Sequence, residues 1–434
     1  MSLTTVGILG IFGLLLLIFA RIPVAFSMAA IGFLGFSYIV SPSAAIAMLS
    51  MDVFENFSSY NLTVIPMFVF MGSIAFRTGI TTRLFDASYT IFGRMRGGLA
   101  VASIIACAGF SSICGSTNAT AAAMGAVALP QMRRYEYDDA LATGCVASAG
   151  TLGILIPPSA LLIIYGIIAE QSIGSLFIAG IIPGAILTFL FVLTVMLLCL
   201  INPALAPAGS STSIRKKVRA LFSIIEVPVI FLLIIGGLST GWFSPTQAGG
   251  AGSASLVLLG LLRRKLTWSR FVEAANDTLL ISCMVVFIVT GAIIFNHFMA
   301  VTKIPFLMAD WISSISLPPV AVMGLIIFLH VIGGFFMDGF AMILLTVPIL
   351  LPLVASMGFD LIWFGIVIVL IVEMGAITPP VGVNVYVIKG ISDDVPLETI
   401  FRGIFPFLLA LCVEVALLLV FPKLPIILGN LLTF

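Results

Sequence analysis

Charged residues are scarce in this sequence. Only 9% of its 434 residues are Asp, Glu, Lys or Arg, whereas 61% are hydrophobic. A soluble protein of this length has no interior large enough to hide so much apolar surface, so lipid must cover most of it. The apolar runs are continuous and lack the alternation of an outer-membrane barrel. The sequence therefore predicts an all-α polytopic membrane protein.

Other absences exclude further classes of protein. The net charge is only +1, which argues against a nucleic-acid partner. The six cysteines are scattered through apolar runs without CxxC spacing, so disulfides and transition-metal sites are not expected. The first apolar run, VGILGIFGLLLLIFA, has neither a basic leader nor a small-residue cleavage site. We interpret it as a retained helix rather than a signal peptide.

Apolar runs of membrane-crossing length recur along the chain. Ten of them predict crossings, near residues 3–20, 23–40, 61–77, 138–169, 176–200, 224–240, 245–262, 276–298, 361–388 and 404–422. Two other stretches, 97–130 and 318–351, hold a polar, glycine-rich patch at their centres. Folded in half, each arm would be roughly 24 Å of helix, which is short of a bilayer core of about 30 Å. We predict that they are re-entrant hairpins, the first and second hairpin.

The basic residues set the expected orientation. If the base of the first hairpin faces the cytoplasm, all of the 19 Lys and Arg residues except Lys303 and Lys423 lie inside. Both termini are then periplasmic, and the second hairpin opens outward. Trp242, Trp311 and Trp363 are expected in interfacial belts.

The two halves of the chain share the positions of several prolines and a glycine. A shift of 222 residues places Pro23 on Pro245, Pro130 on Pro352, Gly153 on Gly375, Pro157 on Pro379 and Pro158 on Pro380. Such agreement indicates a duplication, with repeats at 1–209 and 221–434 joined by a cytoplasmic connector at 210–220. Because the hairpins open to opposite sides, the repeats are predicted to be inverted. Inverted repeats with interrupted helices are typical of secondary transporters.

Each repeat contains a predicted break in a long apolar span. GILIPPS (153–159) interrupts 138–169, and GAITPPVGVN (375–384) interrupts 361–388. Proline lacks a backbone N–H and crowds the preceding turn. A single proline would predict only a kink, but the same break in both halves favours interrupted helices. Their unpaired carbonyl groups suit Na⁺, and their helix N-termini suit an anion.

The centres of the two hairpins carry the candidate polar groups. The first tip, GFSSICGSTNATAAAMG (109–125), gathers hydroxyl and amide side chains, although small-residue helix packing is an alternative explanation. The second tip, GGFFMDGFA (333–341), contains Asp338. An acid at membrane depth is presumed functional, and four roles are open to it: Na⁺ ligand, proton carrier, indirect organiser or structural cap. Glu373 is expected to cap or orient the second break, and Glu414 to face a partner subunit.

Together these motifs resemble the large membrane subunit of the tripartite ATP-independent periplasmic (TRAP) transporters, the DctM-like family. The resemblance covers essentially the whole chain and rests on SSICGSTNATAAAMG, GTLGILIPPS, GGFFMDGF and GAITPPVGVN. It implies Na⁺-driven, elevator-type import of an organic anion across the bacterial inner membrane, a carboxylate such as a C4-dicarboxylate or sialic acid. It also implies two partners, a DctP-like periplasmic binding protein and a DctQ-like four-helix small subunit. The fold is similar to that of sodium–divalent-anion symporters of the ion-transporter superfamily.

The resemblance also implies site residues. The first Na⁺ site would comprise Ser112, Gly115, Asn118, Gly153 and Pro157. The second would comprise Gly334, Asp338, Gly375, Thr378 and Pro379. Substrate would lie between them and touch Ser116, Thr117, Ser159 and Asn384.

Three other functions compete with this one. A channel needs a continuous polar pore, for which the sequence has too few polar residues at depth. An intramembrane enzyme is not expected, because there is no HExxH motif and Asp338 in MDGF lacks a paired GxGD acid. The nearer alternative is a stand-alone Na⁺/dicarboxylate symporter that needs no binding protein.

Overall fold

The structure is a computed structural model that describes residues 2–209, 212–304, 307, 318–335, 337–379 and 382–432. The described part of the first half is built from α1 (Leu3–Phe19), α2 (Val24–Ile39), α3 (Pro42–Ser58), α4 (Val64–Arg77), α5 (Ile80–Phe92), α6 (Gly98–Cys114), α7 (Thr117–Arg134), α8 (Asp139–Leu155), α9 (Ala160–Ile168) and α10 (Ile173–Ile201). Short 3₁₀ turns cover Asn61–Thr63 and Pro203–Leu205.

The described part of the second half is also helical. Its described helices are α11 (Ile214–Ser223), α12 (Glu226–Ser239), α13 (Pro245–Leu262), α14 (Trp268–Thr302), α15 (Pro319–Gly334), α16 (Gly339–Ser356), α17 (Leu361–Ile377), α18 (Val383–Ile391), α19 (Leu397–Val420) and α20 (Ile427–Leu432). The all-helical architecture and its many apolar helices confirm the predicted fold class.

Apolar length alone identifies fewer spans than the sequence predicted. Five described helical segments are long and apolar enough to cross a membrane, or seven if each bent pair counts as one span. The difference from ten arises partly because α1, α2 and α17 have 17, 16 and 17 residues. At 1.5 Å per residue, such helices fall a few ångströms short of the bilayer core.

Besides the short helix α20, three described helices were not among the predicted spans or hairpins. α3 is joined to the segment Asn61–Arg77 at a bend of 49°, and α5 follows directly after it. α11 extends the predicted connector to Ser223. All three carry charged residues, such as Asp52 in α3 and Arg83 in α5, which a hydropathy criterion for transmembrane segments rejects. None of the three passes that test on its own, although α3 and α11 each pass it together with the helical segment beyond the bend.

The helix bounds follow the 222-residue shift seen in the sequence. The shift carries the bounds of α7 onto those of α16, and those of α8 onto those of α17, without any offset. α9 falls on α18 with an offset of one residue. The halves differ elsewhere, because α3 and α4 in the first half correspond to the single long helix α14 in the second. The opposite orientation of the two halves in the membrane stays a prediction.

The two hairpins and two interrupted helices form a central unit. α8 and α17 are buried along nearly their whole length, enclosed by the hairpin helices and by α10 and α19. Outside this unit, α2 packs against α14, and α4 packs against both α13 and α14. A Cβ atom on Gly291 would lie 2.3 Å from the carbonyl oxygen of Ala25, so α14 and α2 meet backbone to backbone.

The predicted interfacial position of Trp363 is wrong. Its side chain is fully buried, and its indole Nε1 donates a hydrogen bond to the carbonyl oxygen of Leu418 over 3.0 Å. A buried indole N–H needs such a partner, and α19 supplies it. Trp242 is exposed, and Trp311 lies outside the described residues.

Candidate functional site

The first hairpin reverses direction within two residues. α6 ends at Cys114, and Gly115 adopts a left-handed conformation with φ of +66°. Glycine takes this conformation without the steric penalty that a side chain brings. Ser116 then caps α7, because its side-chain oxygen accepts a hydrogen bond from the N–H of Ala119 over 3.4 Å.

The first break separates α8 from α9 at the two prolines. α8 ends at Leu155, and α9 begins at Ala160 after Pro157 and Pro158. Ser159 caps the second half-helix, since its Oγ accepts a hydrogen bond from the N–H of Leu162 over 3.3 Å. The helix is therefore interrupted where the sequence predicted, and a new helix N-terminus starts at a buried position.

The first tip and the first break meet through their backbones. The N–H of Ala160 donates a hydrogen bond to the carbonyl oxygen of Gly115 over 3.4 Å. A Cβ atom on Gly115 would lie 2.7 Å from the carbonyl oxygen of Pro158. A Cβ atom on Gly153 would lie 2.5 Å from the carbonyl oxygen of Ser116. Only glycine permits this approach, which brings backbone carbonyl groups of the two segments together.

The second tip and the second break repeat this relationship. A Cβ atom on Gly375 would lie 2.8 Å from the Cα of Gly334, so the two glycines are in backbone contact. Asp338 caps α16, because its Oδ1 accepts hydrogen bonds from the N–H groups of Phe340 (2.9 Å) and Ala341 (3.1 Å). The 222-residue shift places Asp338 on Ser116, and both are N-cap residues.

The second break is described on both sides of a short gap. α17 ends at Ile377, and the side chain of Thr378 donates a hydrogen bond back to the carbonyl oxygen of Met374. Pro379 is exposed, whereas Pro380 and Val381 lie outside the described residues. Gly382, the N-cap residue of α18, has a left-handed conformation with φ of +51°.

The two halves interlock across the site. Asn384, which is fully buried, donates hydrogen bonds from Nδ2 to Thr117 Oγ1 (2.7 Å) and to the carbonyl oxygen of Ala147 (3.0 Å). α18 of the second break thus contacts α7 and α8 of the first half. In the reverse sense, a Cβ atom on Gly339 would lie 3.1 Å from a methyl group of Leu161 in α9. Each hairpin therefore contacts both breaks.

The remaining predicted side chains lie near these contacts in different settings. Ser112 Oγ donates to the carbonyl oxygen of Gly109 in its own helix over 2.7 Å. Asn118 is exposed on the first turn of α7. Ser116 and Ser159 use their hydroxyl oxygens as caps, and they stand at the positive ends of α7 and α9.

Sequence reasoning missed two contacts of the site. The carbonyl oxygen of Ala147 anchors Asn384, and no side chain marks such a backbone acceptor in a sequence. A Cβ atom on Gly72 would lie 2.7 Å from the carbonyl oxygen of Cys114, so α4 also touches the first tip. Gly72 lies in the apolar run MFVFMGSIAF, where a lone glycine is a weak signal of close helix packing.

For two buried acids, the structure contradicts the expected capping role of Glu373 and the expected subunit-facing role of Glu414. Glu373 and Glu414 are both fully buried in the chain, so Glu414 does not face a partner subunit. Within the described residues, none of their four carboxyl oxygens has a hydrogen-bond partner. Glu373 therefore makes no capping hydrogen bond at the second break. Glu373 lies about one turn before the end of α17, within a stretch that is buried among the packed helices.

The chain is similar to known proteins over most of its length. The family described as "Tripartite ATP-independent periplasmic transporter, DctM component" matches residues 11–424. The chain is 33% identical over 387 residues to the C4-dicarboxylate TRAP transporter large permease protein DctM of Pseudomonas aeruginosa, covering 89% of this chain and 90% of that protein. It is 33% identical over 425 residues to the sialic acid TRAP transporter large permease protein SiaM of Vibrio cholerae, covering 97% and 98%.

A solved structure shares the fold. The YdaH transporter of Alcanivorax borkumensis, whose crystal structure revealed an unusual topology, matches with a TM-score of 0.60. The match covers 88% of this chain and 89% of that chain, at 16% sequence identity. At that identity the likeness supports the architecture and not the activity.

Proposed function

The chain belongs to the DctM component family of the tripartite ATP-independent periplasmic transporters, and from this premise we propose that it imports an organic anion by coupling it to Na⁺. The family is a transport component rather than an enzyme. The proposed substrate is a carboxylate of the kind named for its relatives, a C4-dicarboxylate or a sialic acid. The proposed location is the bacterial inner membrane, with both termini periplasmic.

The observation that carries the proposal is the paired glycine contact. In each half, a glycine of the interrupted helix lies against the backbone of the facing hairpin tip. Helix ends leave carbonyl groups without intrahelical partners, and α6 and α8 both end beside the first contact, as α15 and α17 do beside the second. Oxygen-rich sites of this kind suit Na⁺, which would cross the membrane together with the substrate. The proposed ligands are Ser112, Gly115, Asn118, Gly153 and Pro157 in one pair, and Gly334, Asp338, Gly375, Thr378 and Pro379 in the other.

The proposed anion site lies between these two pairs. The N-termini of α7 and α9 supply partial positive charge through their first N–H groups. Thr117 and Asn384 join the two halves there and position the segments around the substrate. Ser116 and Ser159 hold the two helix starts in place as caps. Na⁺ binding at both pairs would order the tips and thereby complete the anion site.

An elevator movement fits the packing. The hairpins and interrupted helices interlock through Asn384 and Gly339, which favours movement as one block. α2, α4, α13 and α14 pack on one another outside it and would form the scaffold. A block loaded with only one ligand would carry unpaired polar groups through apolar surroundings, which is costly and therefore couples the fluxes.

Two partner proteins complete the proposed transport complex. We propose a DctQ-like small membrane subunit and a DctP-like periplasmic binding protein, because the family is the large component of a tripartite system. Exposed apolar side chains on α1 and α2, such as Phe12 and Phe26, offer surface for lipid and for the small subunit.

Uptake into proteoliposomes tests the proposal. The complex with both partners is expected to accumulate a radiolabelled dicarboxylate or sialic acid only under an inward Na⁺ gradient, and only when the binding protein is present. Equal uptake without the binding protein would instead identify a stand-alone symporter. Uptake that ignores the Na⁺ gradient would overturn the coupling.

A further inference from the structure

The helix that joins the two halves has an exposed apolar face. Ile214, Val218, Leu221 and Phe222 of α11 are 77%, 49%, 57% and 68% exposed. At 100° per residue these side chains fall within an arc of about 100°, which is the width of a single helix face. Exposure of this face to water is unfavourable, because each large apolar side chain then lacks the stabilisation that burial provides.

Basic residues border this apolar face. Arg215, Lys216, Lys217 and Arg219 are the charged residues of α11, which contains no acid. Arg215 and Lys217 fall just beyond the two edges of the apolar arc, where long side chains reach toward lipid headgroups. In the described part of the chain, none of the four takes part in an ion pair.

The position of α11 is fixed by its neighbours. α12 begins at the buried residue Glu226, which forms ion pairs with Arg83 of α5 and Arg263 at the end of α13. α11 is bent by 47° from α12, so it does not continue along the direction of that helix. An oblique amphipathic helix at the end of an apolar one is placed at the membrane surface.

The connector is also tied to α5, the helix beside the first hairpin. Thr212 Oγ1 donates a hydrogen bond to the carbonyl oxygen of Thr90 over 2.5 Å. The N–H of Gly209 donates one to the carbonyl oxygen of Gly93 over 3.1 Å. α11 packs against α5, and α5 packs against α6 of the first hairpin. A surface that holds α11 therefore also holds the helix beside the hairpin.

We propose that α11 lies in the headgroup layer of the membrane, with its apolar face toward the acyl chains and the basic residues nearest that face, Arg215, Lys217 and Arg219, bound to anionic phospholipid. The charge pattern selects this occupant, since an acid-free helix edged by Lys and Arg complements phosphate and carboxylate headgroups. Anionic lipid then anchors the α5–α11 pair on which the first hairpin rests. This inference concerns a lipid site and does not depend on the identity of the transported anion or on Na⁺ coupling.

Spin labelling of the full-length protein tests the placement. Phe222→Cys and, as a matched control on the opposite side of α11, Ser223→Cys each carry a nitroxide after Cys283→Ala and Cys412→Ala, the two exposed cysteines. In vesicles containing phosphatidylglycerol, the label at 222 is expected to relax with dissolved oxygen and the label at 223 with a water-soluble nickel complex. Equal access of the nickel complex to both labels would overturn the proposal. So would a label at 222 that is shielded only when the small subunit is added, because α11 would then be a protein-docking surface.

Charge neutralisation tests the lipid chemistry. Arg215, Lys217 and Arg219 are changed to Gln in one variant, and Arg94, Arg134 and Arg264 in a control variant with the same loss of charge. The preference for phosphatidylglycerol over phosphatidylcholine, measured by native mass spectrometry, is expected to fall about fivefold per neutralised residue of α11. The control is expected to keep the wild-type preference. An equal fall in both variants would contradict a site on α11.

Discussion

Asn384 donates a hydrogen bond of 2.7 Å to the hydroxyl oxygen of Thr117, although the two residues belong to different halves of the chain. The same amide group also reaches the carbonyl oxygen of Ala147 in α8. One buried side chain thus ties the second break to the first hairpin and to the first interrupted helix. This contact makes the two predicted Na⁺ sites parts of one unit.

The first prediction concerns that contact. Asn384→Ala removes the partner of the Thr117 hydroxyl and the second hydrogen bond of the Ala147 carbonyl group, and we expect the free energy of unfolding to fall by about 1–3 kcal/mol. Thr117→Val is expected to cost less, because Asn384 keeps its bond to Ala147. The double variant should be less harmful than the sum of the two, with a coupling of about 0.5–3 kcal/mol.

Thermal unfolding in detergent, followed for both single variants and the double variant, measures the coupling. Thr194→Val is the matched control, because the hydroxyl of Thr194 donates only to Leu190 of its own helix. Strict additivity of the Thr117 and Asn384 variants would show that the two side chains act independently.

The second prediction concerns the glycines at the two breaks. Gly153→Ala places a methyl group 2.5 Å from the carbonyl oxygen of Ser116, and Gly375→Ala places one 2.8 Å from the Cα of Gly334. Overpacking of this kind costs about 1–3 kcal/mol, so we expect Na⁺-driven uptake to fall by about 5- to 150-fold in each variant.

Gly236→Ala provides the control for these variants. A Cβ atom on Gly236, also within a helix, meets nothing within 4 Å, so that variant should transport like the wild type. Initial uptake rates at equal amounts of folded protein make the comparison. Wild-type rates in Gly153→Ala would show that the first tip–break contact can open without loss of function.

The third prediction separates two roles of Asp338. Asp338→Asn retains an oxygen that can cap α16, and the cap-preserving change is expected to alter stability little. It removes the charge, however, so the Na⁺ concentration needed for half-maximal uptake should rise. Asp338→Ala loses the cap as well and should also be destabilised, by about 0.5–2 kcal/mol. An unchanged Na⁺ dependence in Asp338→Asn would show that Asp338 acts as a structural cap and does not bind Na⁺.

The fourth prediction concerns the ion pair at the base of the first hairpin. Arg133 donates a hydrogen bond to Asp394 Oδ1 over 2.6 Å, in the turn between α18 and α19. This bond holds the pKa of Asp394 below its ordinary value of 3.8. A lowered pKa in the folded state means that the pair stabilises the protein above about pH 3.8 and that this stabilisation is lost as the pH falls further.

Thermal midpoints at two pH values test whether the stabilisation from this ion pair is lost at low pH, as expected. Asp394→Asn is expected to melt slightly below the wild type at neutral pH and together with it well below pH 3.8. Asp393→Asn is the control, because Asp393 takes part through its carbonyl oxygen, which accepts a hydrogen bond from Lys389 Nζ. A difference that persists at low pH would assign the effect of Asp394 to something other than this ion pair.

The sequence predicted the elements of the site because proline and glycine act locally. Pro157 and Pro158 end α8 wherever the rest of the chain lies, and Gly115 permits the reversal between α6 and α7. The 222-residue shift was visible for the same reason, since it aligns residues that define helix ends. Hydropathy likewise predicted the apolar helices.

Contacts between distant segments were beyond reach of the sequence. The acceptor for Asn384 is a backbone carbonyl group, and every residue carries one. Trp363 was assigned to the membrane interface because tryptophan is common there, and Glu414 to a partner subunit because it lies near the C-terminal end, but packing of α17 against α19 buries both. The amphipathic helices α3, α5 and α11 were missed as elements because their charges interrupt the apolar runs that mark spans.

The Na⁺ dependence of initial uptake is the decisive test of whether both tip–break pairs bind Na⁺. The complex with the small subunit and the binding protein is reconstituted, and Na⁺ outside the vesicles is varied at constant ionic strength. If both tip–break pairs bind Na⁺ and together complete the anion site, the curve should be sigmoidal, and Gly153→Ala and Gly375→Ala should each weaken it. Full uptake with choline in place of Na⁺, or a hyperbolic curve unaffected by both substitutions, would contradict the account.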